Sequence, residues 1–132
     1  MNTSKNYQFV LVHGAWHGAW CWEKVVPLLE AGGHAAHAID LPGLGEDQTP
    51  IKDVTLESYV SAVSELINSI DQPVVLVGHS MGGMVITQVA ELIPDKINTL
   101  IYLTAFSPKN RETLLQYALE NTESDVTKYK QI

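Results

Sequence analysis

A serine set between two glycines is the residue group in this chain best suited to chemistry. Gly78-His79-Ser80-Met81-Gly82 follows the apolar run Val74 to Val77, which Pro73 opens. That run reads as a short, fully buried strand. Gly83 and a helix-spaced apolar set (Met84, Val85, Val89, Leu92, Ile93) come straight after. Strand, sharp turn and helix is the context in which G-x-S-x-G becomes a nucleophile elbow. Such a turn is expected to force Ser80 into a strained backbone conformation and to lift its hydroxyl clear of the sheet. Gly78 and Gly82 are expected where any side chain would collide, because strand and helix pass closely there. The helix N-terminus then turns partial positive charge and free N–H groups toward whatever forms beside Ser80.

Serine is a poor nucleophile until a base takes its proton, and the oxyanion it creates needs donors. The N–H of Met81, one residue after the serine, is the first expected donor. The second is assigned to the N–H of Ala15, in the loop His13-Gly14-Ala15 after the first strand. Small residues at 14 and 15 leave room for a carbonyl oxygen. Gly14, Trp16 and His79 are read as substrate-side residues, with Trp16 at a pocket edge and Trp22 in the core. His79 counts through its backbone more than its ring. His13 and His17 stand four apart but lack a third ligand, so they read as packed, pocket-side histidines and no metal site is expected. His34 and His37 read as packing or solvent-facing, and Cys21 as a small buried filler. Asp40 precedes Ser80 and reads as a turn-stabilising acid.

The elements that must position these groups alternate regularly. Phe9–Val12 reads as a buried strand, 14–20 as a loop, and Trp22–Ala31 as a helix closed by Gly32-Gly33. His34–Ile39 is a weaker strand, and Asp40–Asp53 a loop punctuated by Pro42, Gly43, Gly45 and Pro50. Thr55 is a good N-cap for a helix striped by Leu56, Tyr59, Val60, Val63, Leu66, Ile67 and Ile70. The helix after Ser80 is expected to end near Pro94-Asp95, and Ile97–Thr104 reads as a fourth strand. This alternation predicts an α/β fold with a parallel sheet covered on both faces. After Phe106-Ser107-Pro108 the composition turns polar. Residues 1–108 are therefore read as the core, and 109–132 as an amphipathic helix with a loosely held tail.

Length and composition narrow the classes. A chain of 132 residues fits one domain with a real core. A net charge of −7 without a basic stripe argues against nucleic acid and anionic membrane surfaces as partners. No apolar run reaches the length of a membrane span. The polar N-terminus MNTSKNYQ lacks the apolar region of a secretory signal. Cys21, the single cysteine, fits a reducing compartment, most simply the cytoplasm.

Four segments carry a resemblance: FVLVHGAWHGAW from Phe9, DLPG at Asp40–Gly43, VGHSMGG at Val77–Gly83 and YLTAF at Tyr102–Phe106. Together the chain resembles the α/β-hydrolase fold, in the branch of plant methylesterases, hydroxynitrile lyases and bacterial esterase relatives. The resemblance implies a three-layer, mostly parallel sheet, of which this chain holds about four strands with their helices. It also implies a helical cap beginning soon after Ser107, and no cofactor. The lyases of that branch carry a threonine after the first-strand histidine; Gly14 stands here, so the chain looks like an esterase, and carboxylic esters of small apolar acids or alcohols are the expected substrates. The fold's triad runs in the order serine, acid, histidine. All five histidines (13, 17, 34, 37 and 79) lie before Ser80. The acids after it (Glu91, Asp95, Glu112, Glu120, Glu123, Asp125) fall on the following helix, its exit or the expected cap. Base and acid are thus expected from sequence outside these residues, whether of a longer or a cleaved protein. The rival readings are a non-catalytic ligand-binding or interaction fragment, and a perhydrolase or lyase of the same fold. Ile97–Thr104 would be left as an apolar edge strand, expected to pair with the missing segment or with a second copy.

Overall fold

The first and third strands read as continuous apolar runs because each carries a core on both faces. In the computed structural model, which describes residues 6–105, β1 spans Gln8–Val12 and β3 spans Val74–Ser80. Successive side chains of a strand point to opposite faces. Val10, Val12, Val74 and Leu76 accordingly join one core with Val63, Ile67, Val85, Ile86 and Val89. Leu11, Val75 and Val77 join a second core with Trp22, packed by Val25, Val26 and Leu29. The first set comes from α2 (Leu56–Asn68) and α3 (Gly82–Leu92), the second from α1 (Val25–Ala31) and the turn before it. This is the three-layer arrangement expected, helices on both faces of a sheet.

The sheet is wholly parallel, in the order β2-β1-β3-β4, with β2 at Ala35–Ile39 and β4 at Ile97–Ala105. The chain winds outward from β1 in both directions, to β2 on one side and β3 on the other. Such a reversal opens a crevice beyond the carboxyl ends of the two strands, where ligands of open α/β sheets bind. Gly14 follows the end of β1, and Ser80 ends β3.

Two expected boundaries shift. Trp22 does not open a helix: it closes a 3-10 turn, Ala19–Trp22, and α1 starts only at Val25. Pro27 is the reason. A helix begun at Trp22 would ask Pro27 for an N–H it lacks and press its ring on the Glu23 carbonyl, whereas in the first turn that N–H is not needed. β3 in turn runs three residues past the apolar run, because Gly78, His79 and Ser80 still pair with Tyr102, Leu103 and Ala105 of β4. Thr55 caps α2 as expected, and reciprocally: its Oγ1 accepts from Ser58 N–H at 3.0 Å while Ser58 Oγ accepts from Thr55 N–H at 2.9 Å. The expected boundary near residue 108 and the expected cap at 109–132 lie outside the described residues.

Candidate active site

Ser80 stands where β3 ends, with only Met81 between it and α3. Its φ is +54°, in the left-handed region that an L-residue enters at a cost. The turn is this sharp because two glycines allow it. A Cβ at Gly78 would come within 2.7 Å of the Gly82 carbonyl oxygen, and one at Gly82 within 2.7 Å of the Val12 carbonyl oxygen. Both obstacles are backbone, so neither can swing aside. Met81 takes the N-cap position of α3, with φ −55° and ψ −28°. Its N–H belongs to the helix's first turn, where the amides have no acceptor within the helix.

The loop after β1 closes on the same point. A Cβ at Gly14 would lie 2.9 Å from Ser80 Cβ and 3.2 Å from the His79 carbonyl oxygen. Glycine at 14 thus lets the loop's backbone touch the serine. The Gly14 carbonyl accepts from His13 Nδ1 at 2.8 Å and from His17 N–H at 3.3 Å. The Ala15 carbonyl accepts from His17 Nδ1 at 2.7 Å. Trp16 follows with φ +60° and a side chain 75% exposed. Trp22 is buried in the core behind the site.

Three histidines surround the turn without reaching the serine hydroxyl. Among the described residues, no hydrogen bond joins Ser80 Oγ to a histidine. His13 is fully buried, and its Nε2 accepts from Leu41 N–H at 3.0 Å. Burial lowers its pKa from 6.5, against smaller raising effects of the Gly14 hydrogen bond and the Asp40 charge. His79 is half-buried, edge-on to His17 with centroids 6.0 Å apart and to Trp22 at 6.4 Å. Burial, then the nearby His17, lowers its pKa as well. His17 also stacks on Trp20, with centroids 5.4 Å apart. Asp40 sits apart from this chemistry: its Oδ1 accepts from Ala19 N–H at 2.7 Å, tying two loops together. A cavity of about 400 Å³ opens beside that contact, lined by Ala19, Trp20, Asp40, Gly45 and Glu46 rather than by Ser80.

The structure therefore brings Ser80, Met81, Gly14 and His79 into one cluster, with Ala15 one residue beyond. Reading the sequence missed that His13 and His17 hold the two carbonyls of this loop. Their spacing of four residues was the available signal; it led to packed, pocket-side histidines rather than a metal pair, with no carbonyl assigned to either ring.

A parallel sheet wound outward from its first strand, with a left-handed serine at a strand-to-helix turn, is the arrangement of the α/β hydrolases. The family described as alpha/beta hydrolase matches residues 9–125, and the chain belongs to it. It is 50% identical over 113 residues to Methylesterase 1 of Arabidopsis thaliana, which covers 82% of this chain and 43% of that protein. It is 43% identical over 123 residues to Salicylic acid-binding protein 2 of Nicotiana tabacum, with 89% and 47% covered. Among solved structures it is similar to polyneuridine aldehyde esterase, with a TM-score of 0.82 at 35% identity, covering 91% of this chain and 49% of that one. The chain thus spans about half the length of these relatives. Among the described residues, no helix is long and apolar enough to cross a membrane.

Proposed function

We propose that this chain supplies the nucleophile and the oxyanion donors of a serine carboxylesterase acting on small apolar esters. One observation carries the reading: Ser80 is held at φ +54° where β3 gives way to α3, with Gly14 against it. Forced backbone at a functional turn is retained where chemistry needs it. Ser80 Oγ attacks the ester carbonyl while a general base takes its proton. The carbonyl oxygen becomes the oxyanion, met by the N–H groups of Met81 and Ala15. Collapse returns the proton to the departing alcohol and leaves an acyl ester on Ser80; water then releases the acid by the same two steps in reverse. Gly14, Trp16 and His79 form the substrate side.

The base and the acid that orients it come, on this reading, from sequence beyond these 132 residues. No histidine follows Ser80, the triad order of the fold requires one, and about half the relatives' length is unmatched. The same further sequence is the partner proposed for β4, which among the described residues lies at the sheet edge with Ile101 and Leu103 exposed. A reducing compartment, the cytoplasm in the simplest case, fits the single Cys21. A lyase reading is disfavoured by Gly14, which has no hydroxyl to offer a cyanohydrin oxygen.

The test is hydrolysis of short methyl and p-nitrophenyl esters by the complete protein that carries this chain. Turnover abolished by Ser80→Ala is the expected result. Binding of the esters or their acids without turnover would favour the ligand-binding reading instead. For β4, sedimentation of the isolated 132-residue chain as a strictly monomeric, soluble species would count against the proposed pairing.

A further inference from the structure

Two histidines hold the carbonyls of consecutive peptides in the loop that meets Ser80. His13 Nδ1 lies 2.8 Å from Gly14 O, and His17 Nδ1 lies 2.7 Å from Ala15 O. A carbonyl only accepts, so each Nδ1 carries its ring's proton. For His13 the other nitrogen is committed too, because Leu41 N–H donates to Nε2 at 3.0 Å. The ring is fully buried, and its tautomer is set from both ends. Burial also disfavours a second proton, which would expel the Leu41 bond.

In a planar trans peptide, the C=O and the N–H point in opposite directions. The Gly14 carbonyl and the Ala15 N–H share one peptide; the Ala15 carbonyl and the Trp16 N–H share the next. Whatever fixes the carbonyls therefore fixes where the N–H groups aim. The conformation held is not one the residues choose freely, since Trp16 adopts φ +60°. Gly14, whose added Cβ would meet Ser80 Cβ at 2.9 Å, fixes how near that peptide lies to the serine.

We propose that His13, seconded by His17, is a positioning residue that holds the Gly14–Ala15 peptide with the Ala15 N–H presented to the oxyanion beside Ser80. This rests on Ser80 being the nucleophile, as proposed above. The role belongs to the Nδ1 proton alone, while Nε2 serves the fold through Leu41. Two substitutions separate those halves. Asparagine places an amide N–H near the position of Nδ1, holding Gly14 but leaving Leu41 without an acceptor. Glutamine places an amide oxygen near Nε2, holding Leu41 but leaving the Gly14 carbonyl only its longer bond from His17 N–H, at 3.3 Å.

The experiment compares His13→Gln and His13→Asn in the complete esterase, reading kcat, KM and Tm on a short methyl ester. Losing a whole oxyanion donor lowers kcat roughly 10²–10³-fold, so His13→Gln is expected to lose about 10–100-fold with KM little changed. His13→Asn is expected to melt lower yet recover most of kcat. Rates that instead follow stability, with His13→Asn the slower enzyme, would show a purely structural histidine and overturn the proposal. Crystal structures of both variants add a readout independent of turnover: a rotated Gly14–Ala15 peptide in His13→Gln only. An unrotated peptide there would overturn the proposal whatever the protein catalyses. A rotated peptide in a protein whose unsubstituted form hydrolyses no ester would support the clamp and sink the esterase reading.

Discussion

Replacing Ser80 by glycine should leave the protein more stable than replacing it by alanine, although both changes remove the hydroxyl. Alanine keeps a Cβ, and with it the cost of φ +54°. An L-residue in the left-handed region loses roughly 1–2 kcal/mol that glycine does not. Against that gain stands the greater freedom of glycine in the unfolded chain, worth about 0.4–1 kcal/mol. The difference favours Ser80→Gly by about 1 kcal/mol, or roughly 2–4 °C in Tm for a complete domain of about twice this length. Packing alters the sum little. Ser80 is only half-buried, and its Cβ faces the backbone of Gly14 rather than a large side chain. The assay is urea unfolding of the two variants side by side, followed by circular dichroism, with Ser80→Ala as the reference. A Ser80→Gly variant less stable than Ser80→Ala by about 0.4–1 kcal/mol, the cost of glycine's freedom alone, would mean that the turn does not strain residue 80. The chief reason for reading Ser80 as a nucleophile would then fall away.

Other consequences follow from the same geometry. Gly78→Ala pushes a Cβ to 2.7 Å from the Gly82 carbonyl oxygen and 3.0 Å from Ile86 Cδ1. Because the nearer obstacle is backbone, the cost should lie near the upper end of overpacking, about 3 kcal/mol, seen as a lower urea midpoint. Thr55→Ala breaks the capping box of α2 and should cost about 1 kcal/mol in the same assay. Stability should also fall as pH drops below 6.5. His13 and His79 have folded-state pKa values lowered by burial, so below that pH the unfolded chain binds more protons than the native one. The stability they contribute is fully present above 6.5 and lost on acidification through the lowered pKa. His17 pushes both further down while Asp40 opposes this at His13; stability that rises as pH falls from 7 to 5 would show the opposing charge to dominate.

Much of the fold could be read from the chain because local and global signals agree. Val74 to Val77 had to be buried on both faces, and they are; Thr55 had to cap, and it does. The reading failed at α1, where the apolar spacing of Trp22, Val25, Val26 and Leu29 outweighed a proline whose position mattered more. It also stopped β3 too early, since pairing with β4 is a long-range fact that residues 78–80 do not announce. The site was legible where backbone sterics dictate residue type. Gly14, Gly78 and Gly82 each stand where an added Cβ would clash, and Ser80 takes the conformation that such a turn imposes. The histidine clamp was not legible, because which carbonyl an imidazole reaches depends on loop geometry that spacing alone leaves open. Trp16 reads as pocket edge in sequence, and its side chain lies 75% exposed on the loop.

The most direct test is to treat the complete protein that carries this chain with a fluorophosphonate and map the adduct by mass spectrometry. A nucleophilic Ser80 is expected to bear one phosphonyl group per chain, and Ser80→Ala to bear none while remaining folded. A folded protein that stays unlabelled, or that carries the label on another residue, would contradict the assignment of Ser80 as the nucleophile.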